Sequence, residues 1–248
     1  MGDASDGVGV EGILKVVKSL RQEGMAASFC FGTDLAPLSG KQCWVYAIGF
    51  PDQTTWAIRV PVHIKNLPPD IISNTVEEEA SVLKRLERCD FSWSPRLIGY
   101  CSGFDNPIAY PYIVSTWIHG SPLQWTDDIP CSRESRDSLL RQMGEILMQL
   151  AERTQCQGIG GDAVTFLTDI IDRKLSRALR GGLPDISPQS CLLQRALVRN
   201  TFASTADPMV LSHEDLDPSN IIVDEQCNIQ GQVLFYWRTP WRWANTSD

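Results

Sequence analysis

The sequence predicts a two-lobed α+β fold: an N-terminal antiparallel sheet with one helix, then a mainly helical C-terminal lobe. Three observations carry that expectation. Apolar and aromatic residues follow a strand-like pattern between Cys43 and Val60 and a helix-like one beyond Ser132. Strand candidates crowd the first half of the chain and helix candidates the second. A polar loop, His213-Glu214-Asp215-Leu216-Asp217-Pro218-Ser219-Asn220, then runs into the β-branched Ile221-Ile222-Val223 and Asp224.

The elements follow in order. Val10, Ile13, Leu14, Val17 and Leu20 recur at helical spacing, and Gly24 can end that helix. Cys43 to Phe50 and Thr54 to Val60 are rich in β-branched and aromatic residues and flank Pro51-Asp52-Gln53, which predicts an antiparallel hairpin. Asn74 to Arg88 reads as an amphipathic helix, with Val76, Ala80, Leu83 and Leu86 on one face. Arg96 to Cys101 and Tyr112 to Trp117 are two further strands around the turn-rich Gly103 to Pro107. A linker is expected near residues 115–121. Beyond Gly120 come helices over Ser132 to Arg153, with Ser132 and Ser135 as cap candidates, and, after Gly160-Gly161, over Val164 to Leu179 and Cys191 to Phe202.

Composition narrows the function. Of 248 residues, 43% are apolar and 21% charged, which is ordinary globular usage. A net charge of -8 argues against nucleic acid as a partner, since phosphate neutralisation needs clustered Lys and Arg. No apolar run approaches the ~18 residues of a membrane span, and the acidic start Met1-Gly2-Asp3 lacks the layout of a secretory signal. Eight cysteines are spread without a C-x-x-C pair, and only three His are present, so a zinc site is not expected. Reduced thiols and a cytoplasmic location fit best.

The polar loop carries the chemistry. It reads H-x-D-L-x-x-x-N, the spacing of the catalytic loop in kinase-type phosphotransferases. Phosphoryl transfer needs a carboxylate to orient or accept the proton of an attacking hydroxyl, and an oxygen donor nearby to hold magnesium on the nucleotide phosphates. Asp215 and Asn220 are those two groups, five residues apart. Arg59, on the second strand of the hairpin, adds a cation, and Glu77, Glu78 and Glu79 on the following helix offer it partners. A metal-dependent hydrolase built on His213, Asp215 and Asp217 is disfavoured, because three ligands so close on one loop converge poorly.

With these parts in this order the chain resembles the aminoglycoside phosphotransferase/choline kinase-like family, and more closely its fungal members. The stretches that carry the resemblance are "CWVYAIGFPDQTTWAIRVP", "VEEEASVLKRL", "PYIVSTWIHGSPL" and "LSHEDLDPSNIIVD". The resemblance implies a protein-kinase-like fold, ATP and Mg2+ as cofactors, and a small-molecule hydroxyl as acceptor, with neither nucleic acid nor membrane as partner. It implies Asp215 as catalytic base, His213 as the brace of its loop and Asn220 as a magnesium ligand. Arg59 would stand where the family often has Lys, paired with Glu79 by the E-x-x-x-L spacing. Gly40 and Lys41 would lie in the phosphate-covering loop. Pro111 to Leu123 would be the hinge, with the backbone of Ser115, Thr116 and Trp117 meeting the adenine. The expected organisation is a helical segment over 1–24, a nucleotide-binding lobe over 25–117, a partial lobe with the catalytic loop over 118–231, and an atypical tail over 232–248.

The tail departs from the family pattern. The family follows its loop with a strand ending in a metal-bridging Asp, typically within I-D-W-E. Here "NIQGQVLFYWRTPWRWANTSD" occupies that place, with Pro240 where the Asp is expected and no carboxylate between Glu225 and Asp248. Two expectations follow: a phosphotransferase, or a truncated or pseudokinase form that binds nucleotide or a partner without efficient transfer.

Overall fold

The computed structural model describes residues 10–21, 25–31, 38–39, 43–61, 68–155, 163–183, 186–201, 210–213, 216–232 and 237–238. Among these, helix α1 (Val10–Leu20) precedes strands β1 (Ser28–Phe29), β2 (Leu38–Ser39), β3 (Trp44–Gly49) and β4 (Thr55–Val60). Helix α2 (Pro69–Arg88), β5 (Leu97–Cys101), β6 (Tyr112–Thr116), β7 (Ser121–Pro122) and α3 (Arg133–Thr154) follow. Then come α4 (Ala163–Leu179), α5 (Pro188–Thr201), β8 (Ser212–His213), a 3-10 turn (Pro218–Asn220), β9 (Ile221–Val223), β10 (Ile229–Gln232) and β11 (Trp237–Arg238).

The main sheet runs β1-β3-β4-β6-β5, with β2 also on β3, and every pairing in it is antiparallel. Residue alternation gives the sheet two different faces. Ile48, Ile58, Val60, Tyr112 and Val114 bury themselves against Ile13, Val16 and Val17 of α1. Burying each such Ile or Val contributes roughly 1.5–3 kcal/mol. A β-carbon on Gly12 would fall 2.0 Å from the Pro107 carbonyl oxygen, so only glycine lets α1 settle this closely. Residues 10–20 are thus an integral layer of the lobe that the sheet builds.

Arg21, just past α1, fastens that layer to the β3–β4 turn. Its guanidinium lies 3.8 Å above the Phe50 ring and pairs with Asp52, whose carboxylate also accepts the N–H of Thr54 at 3.1 Å. On α2, the buried residues Ile72, Val76, Glu79, Ala80, Val82, Leu83 and Leu86 form one stripe. The helix begins five residues before the expected Asn74. Pro69 occupies its first turn, where a missing N–H breaks no helical bond.

The chain divides into two compact units, Met1–Leu147 with His213–Trp237, and Met148–Ser212 with Arg238–Asp248. The division falls within α3, beyond the expected boundary at 117/118. Beta pairing explains it: Ser121 of β7 is the partner of Val223, and β9 pairs in turn with β10, so the loop strands share a unit with the hinge. In the second unit α4 and α5 pack through Ile171, Cys191 and Val198. No helix among the described residues is long and apolar enough to cross a membrane.

Candidate functional site

Alternation along β4 turns Trp56, Ile58 and Val60 toward α1 and Thr55, Ala57 and Arg59 to the opposite face. On that second face the floor is small: Ala57 stands between Ala47 of β3 and Ser115 of β6. Arg59 stands one step along, between Val45 and Ile113.

Arg59 and Glu79 are brought together. The guanidinium Nη2 donates to Glu79 Oε2, and both side chains are largely withdrawn from water. Of the three consecutive glutamates Glu77 is exposed and Glu78 half-buried, whereas Glu79 is only 7% exposed. Burial pushes the Glu79 carboxyl up to about 7, and Arg59 offsets only part of that shift. Burial pulls the guanidinium down, but its interactions with Glu79 and Cys43 together outweigh that and leave it raised. A cation so held keeps its charge at any physiological pH.

The resemblance implies that backbone of Ser115, Thr116 and Trp117 meets the adenine. In the structure the N–H groups of Thr116 and Trp117 are engaged inside the sheet. Thr116 N–H donates to the Arg96 carbonyl at 2.9 Å and Trp117 N–H to that of Thr55 at 3.0 Å. The first residues past the ladder are Ile118, His119 and Gly120. Gly120 has φ +134°, and a β-carbon there would lie 2.4 Å from the Val223 carbonyl oxygen. Trp117 also meets the ring of Phe31 at a centroid distance of 6.3 Å, although Phe31 is 49% exposed.

The polar loop is anchored at its C-terminal end. Asp217 caps the 3-10 turn, its Oδ1 accepting Ser219 N–H at 2.9 Å and Ser219 Oγ–H at 2.6 Å. Pro218 fits the first position of that turn, and Asn220 N–H closes it on the Asp217 carbonyl at 2.9 Å. Asn220 is 5% exposed and leads directly into the buried β9. Leu123 N–H donates to Ile221 O at 2.8 Å, tying the hinge exit to the residue after Asn220. At the far end of β9, Asp224 Oδ1 accepts the N–H groups of Gln226 and Asn228, which hold its carboxyl below the usual range. His213 lies in β8, but its side chain is outside the description. Asp215, Gly40 and Lys41 lie outside the described residues.

Magnesium takes several oxygen ligands in near-octahedral order. Asn220 offers one amide oxygen, and Oδ1 of Asp217 and Oδ1 of Asp224 accept the donors just named. Among the described residues no group of three or more His, Cys, Asp or Glu could hold a metal ion.

Two features escaped the sequence reading. Cys43, 6% exposed, lies two residues before Val45, the cross-strand partner of Arg59, and counting the hairpin register back from Arg59 would have pointed to it. The Phe31–Trp117 contact had no signal, because it joins segments remote in sequence.

A model of the phosphotransferase enzyme family matches residues 64–233, well over half of the chain. Among solved structures, one from Ralstonia eutropha JMP134 assigned as an aminoglycoside phosphotransferase is similar at 14% identity and a TM-score of 0.63. That match covers 91% of this chain and 64% of the other. The apoenzyme of macrolide 2'-phosphotransferase MphH from Brachybacterium faecium is 15% identical, with a TM-score of 0.56, over 93% of this chain and 74% of its own. The streptomycin–ATP complex of APH(2'')-IIa is also 15% identical, with a TM-score of 0.53, over 92% and 72%. At these identities the likeness speaks for the fold, and the chain spans less than two thirds of the first of these structures. No curated protein matches the chain in a sequence search.

Proposed function

The chain belongs to the phosphotransferase enzyme family, and on that premise we propose that it binds ATP against the Arg59 face of its sheet and transfers the terminal phosphoryl group to a small-molecule hydroxyl. The observation that carries this reading is the Arg59–Glu79 pair, set on the small-residue face of the sheet in the same unit as the Asp217–Asn220 turn. A fixed guanidinium is suited to phosphate oxygens, which it meets with paired N–H donors. Glu79 keeps the guanidinium in place, and Ile118 to Gly120 supply backbone to the base. Such roles for nucleotide and acceptor are in keeping with a relative captured with streptomycin and ATP.

In the proposed reaction the acceptor oxygen attacks the γ-phosphorus and the bond from that phosphorus to the bridging oxygen breaks. The nucleoside diphosphate leaves, and the hydroxyl proton passes to Asp215. His213 braces the loop, and Asn220 joins its turn to the buried β9. Gly40 and Lys41 would cover the phosphates.

A second reading is binding without efficient transfer, favoured by one feature of the chain. No carboxylate stands between Glu225 and Asp248, so the second acid expected after the loop is missing. Loss of such a group costs several kcal/mol of transition-state stabilisation. One experiment separates the two: thermal stabilisation by ATP together with phosphorylated product from a panel of hydroxyl acceptors, for wild type and Asp215→Asn. Transfer that collapses in D215N with ATP stabilisation retained supports the phosphotransferase. Stabilisation without product in either protein supports binding alone, and no stabilisation by any nucleotide overturns both.

A further inference from the structure

Phe29 and Phe31 stand two residues apart, yet their rings go to different places. Phe29 packs into the core on the α1 side of the sheet, edge-on to Tyr46 at 6.1 Å. Phe31 is 49% exposed and meets Trp117 at 6.3 Å, with the ring planes 55° apart. The chain bends at Cys30 and Phe31, which breaks the alternation that would send both rings to one side. Gly49 shows where the bend leads. It alternates with Ile48 and so belongs with Ala47 to the Arg59 face, and a β-carbon on it would stand 3.0 Å from Cys30 Sγ. Cys30 therefore leans over the Arg59 face, and Phe31 follows it.

Trp117 belongs to the same face. Its N–H extends the β4–β6 ladder to Thr55, and alternation sets its side chain with that of Ser115. The order β1-β3-β4-β6 puts three strand spacings, roughly 14 Å, between the strands that carry the two rings. The rings meet by reaching toward each other across β3 and β4, where Ala47 and Ala57 keep the surface low. A base lying over Ala57 and reaching the backbone of Ile118 needs the same space. It cannot enter between the rings, because a sandwiched base needs two parallel planes about 7 Å apart. We propose that Phe31 is a built-in plug of the nucleotide site, whose ring rests on Trp117 in the free chain and must swing away before the base can bind. This rests on the nucleotide-binding reading above. A ring half in water and held by one aromatic neighbour is cheap to displace, so the plug lowers affinity without closing the site.

The test measures Kd for ATP and for adenosine in wild type, Phe31→Ala and Phe31→Tyr. F31A should bind both ligands about two- to tenfold more tightly, the span that one aromatic pair is worth. The factor should be the same for both, since the plug obstructs the base and not the phosphates. F31Y keeps a ring and should bind as wild type does. Weaker binding of both ligands by F31A would make the ring a stacking partner of the base and overturns the plug. Unchanged affinity, or a gain confined to ATP, overturns it as well. If wild type and F31A both bind neither ligand, the nucleotide reading fails and the plug with it. A wild type that binds neither beside an F31A that binds both supports the two together.

Discussion

Gly120 and Val223 meet backbone to backbone: a β-carbon on the glycine would sit 2.4 Å from the valine carbonyl oxygen. The contact lies where the chain leaves the hinge, one residue before Ser121 pairs with Val223 itself. The strand that follows the polar loop is thus fastened to the segment that leaves the main sheet.

Two glycine substitutions should therefore move stability in opposite directions. Gly120→Ala adds a methyl against an immovable carbonyl at a positive φ, and should cost about 2 kcal/mol or more. Gly144→Ala lies in α3 with nothing within 4 Å of the new carbon, and should stabilise by roughly 1 kcal/mol through helix propensity. Urea midpoints of the two variants check both signs. Equal tolerance of alanine at the two positions would count against the backbone contact.

Glu79 should give stability a pH dependence of its own. Its carboxyl is raised from 4.5 to about 7 in the folded protein, so the folded state binds that proton more tightly than the unfolded chain. The contribution is fully present below the unfolded value and is lost as pH rises through about 7. Its full range is on the order of 3 kcal/mol. The urea midpoint of wild type relative to Glu79→Gln should fall from about pH 5 to about pH 8 and then level off. A difference that stays constant would mean that Arg59 fully neutralises the effect of burial. Asp52 and Asp224, both shifted downward, act with opposite sign at lower pH and cancel in the comparison.

Removing one member of the ion pair should be worse than removing both. Arg59→Met leaves the buried Glu79 carboxyl without its cation; already raised to about 7 beside Arg59, it is then protonated at neutral pH and lacks a partner, which should cost about 1–3 kcal/mol. Adding Glu79→Leu removes the stranded polar group and should restore much of the loss, a coupling that a double-mutant cycle measures directly. ATP-induced stabilisation should be absent from both proteins, since neither retains the guanidinium. Additive effects of the two substitutions would show that the groups do not act as a pair.

Much of this was legible before any coordinates. A strand cation and three glutamates on the next helix were readable from local pattern, and the family resemblance, through its E-x-x-x-L spacing, implied Glu79 as the partner of Arg59. The β3–β4 hairpin was legible from local pattern too, with its apolar strands flanking Pro51-Asp52-Gln53. Other features depended on long-range partners. β1 and β2 are two residues each, too short to show a period, and exist only because β3 offers an edge. Engagement of Thr116 and Trp117 N–H depends on where the ladder ends, which Arg96 and Thr55 determine. The start of α2 at Pro69, ahead of the expected Asn74, was not read, since proline stops a helix from within, yet it can also begin one.

The two faces of β4 give adjacent residues opposite expected phenotypes. Ile58 is fully buried against α1, and Ile58→Ala should cost about 2–5 kcal/mol through the cavity it leaves. Ala57, one residue earlier, is half-buried on the Arg59 face between Ala47 and Ser115. Ala57→Leu enlarges a side chain that points away from the α1 core, so the fold should survive with little change in the urea midpoint. The added isobutyl group would instead stand where a planar base needs a flat floor. ATP should then fail to raise the melting temperature of A57L, while I58A, refolded at low temperature, should still respond to it. If A57L retained the full ATP response, the base would have to lie somewhere other than this face, and the site would need to be sought away from Arg59.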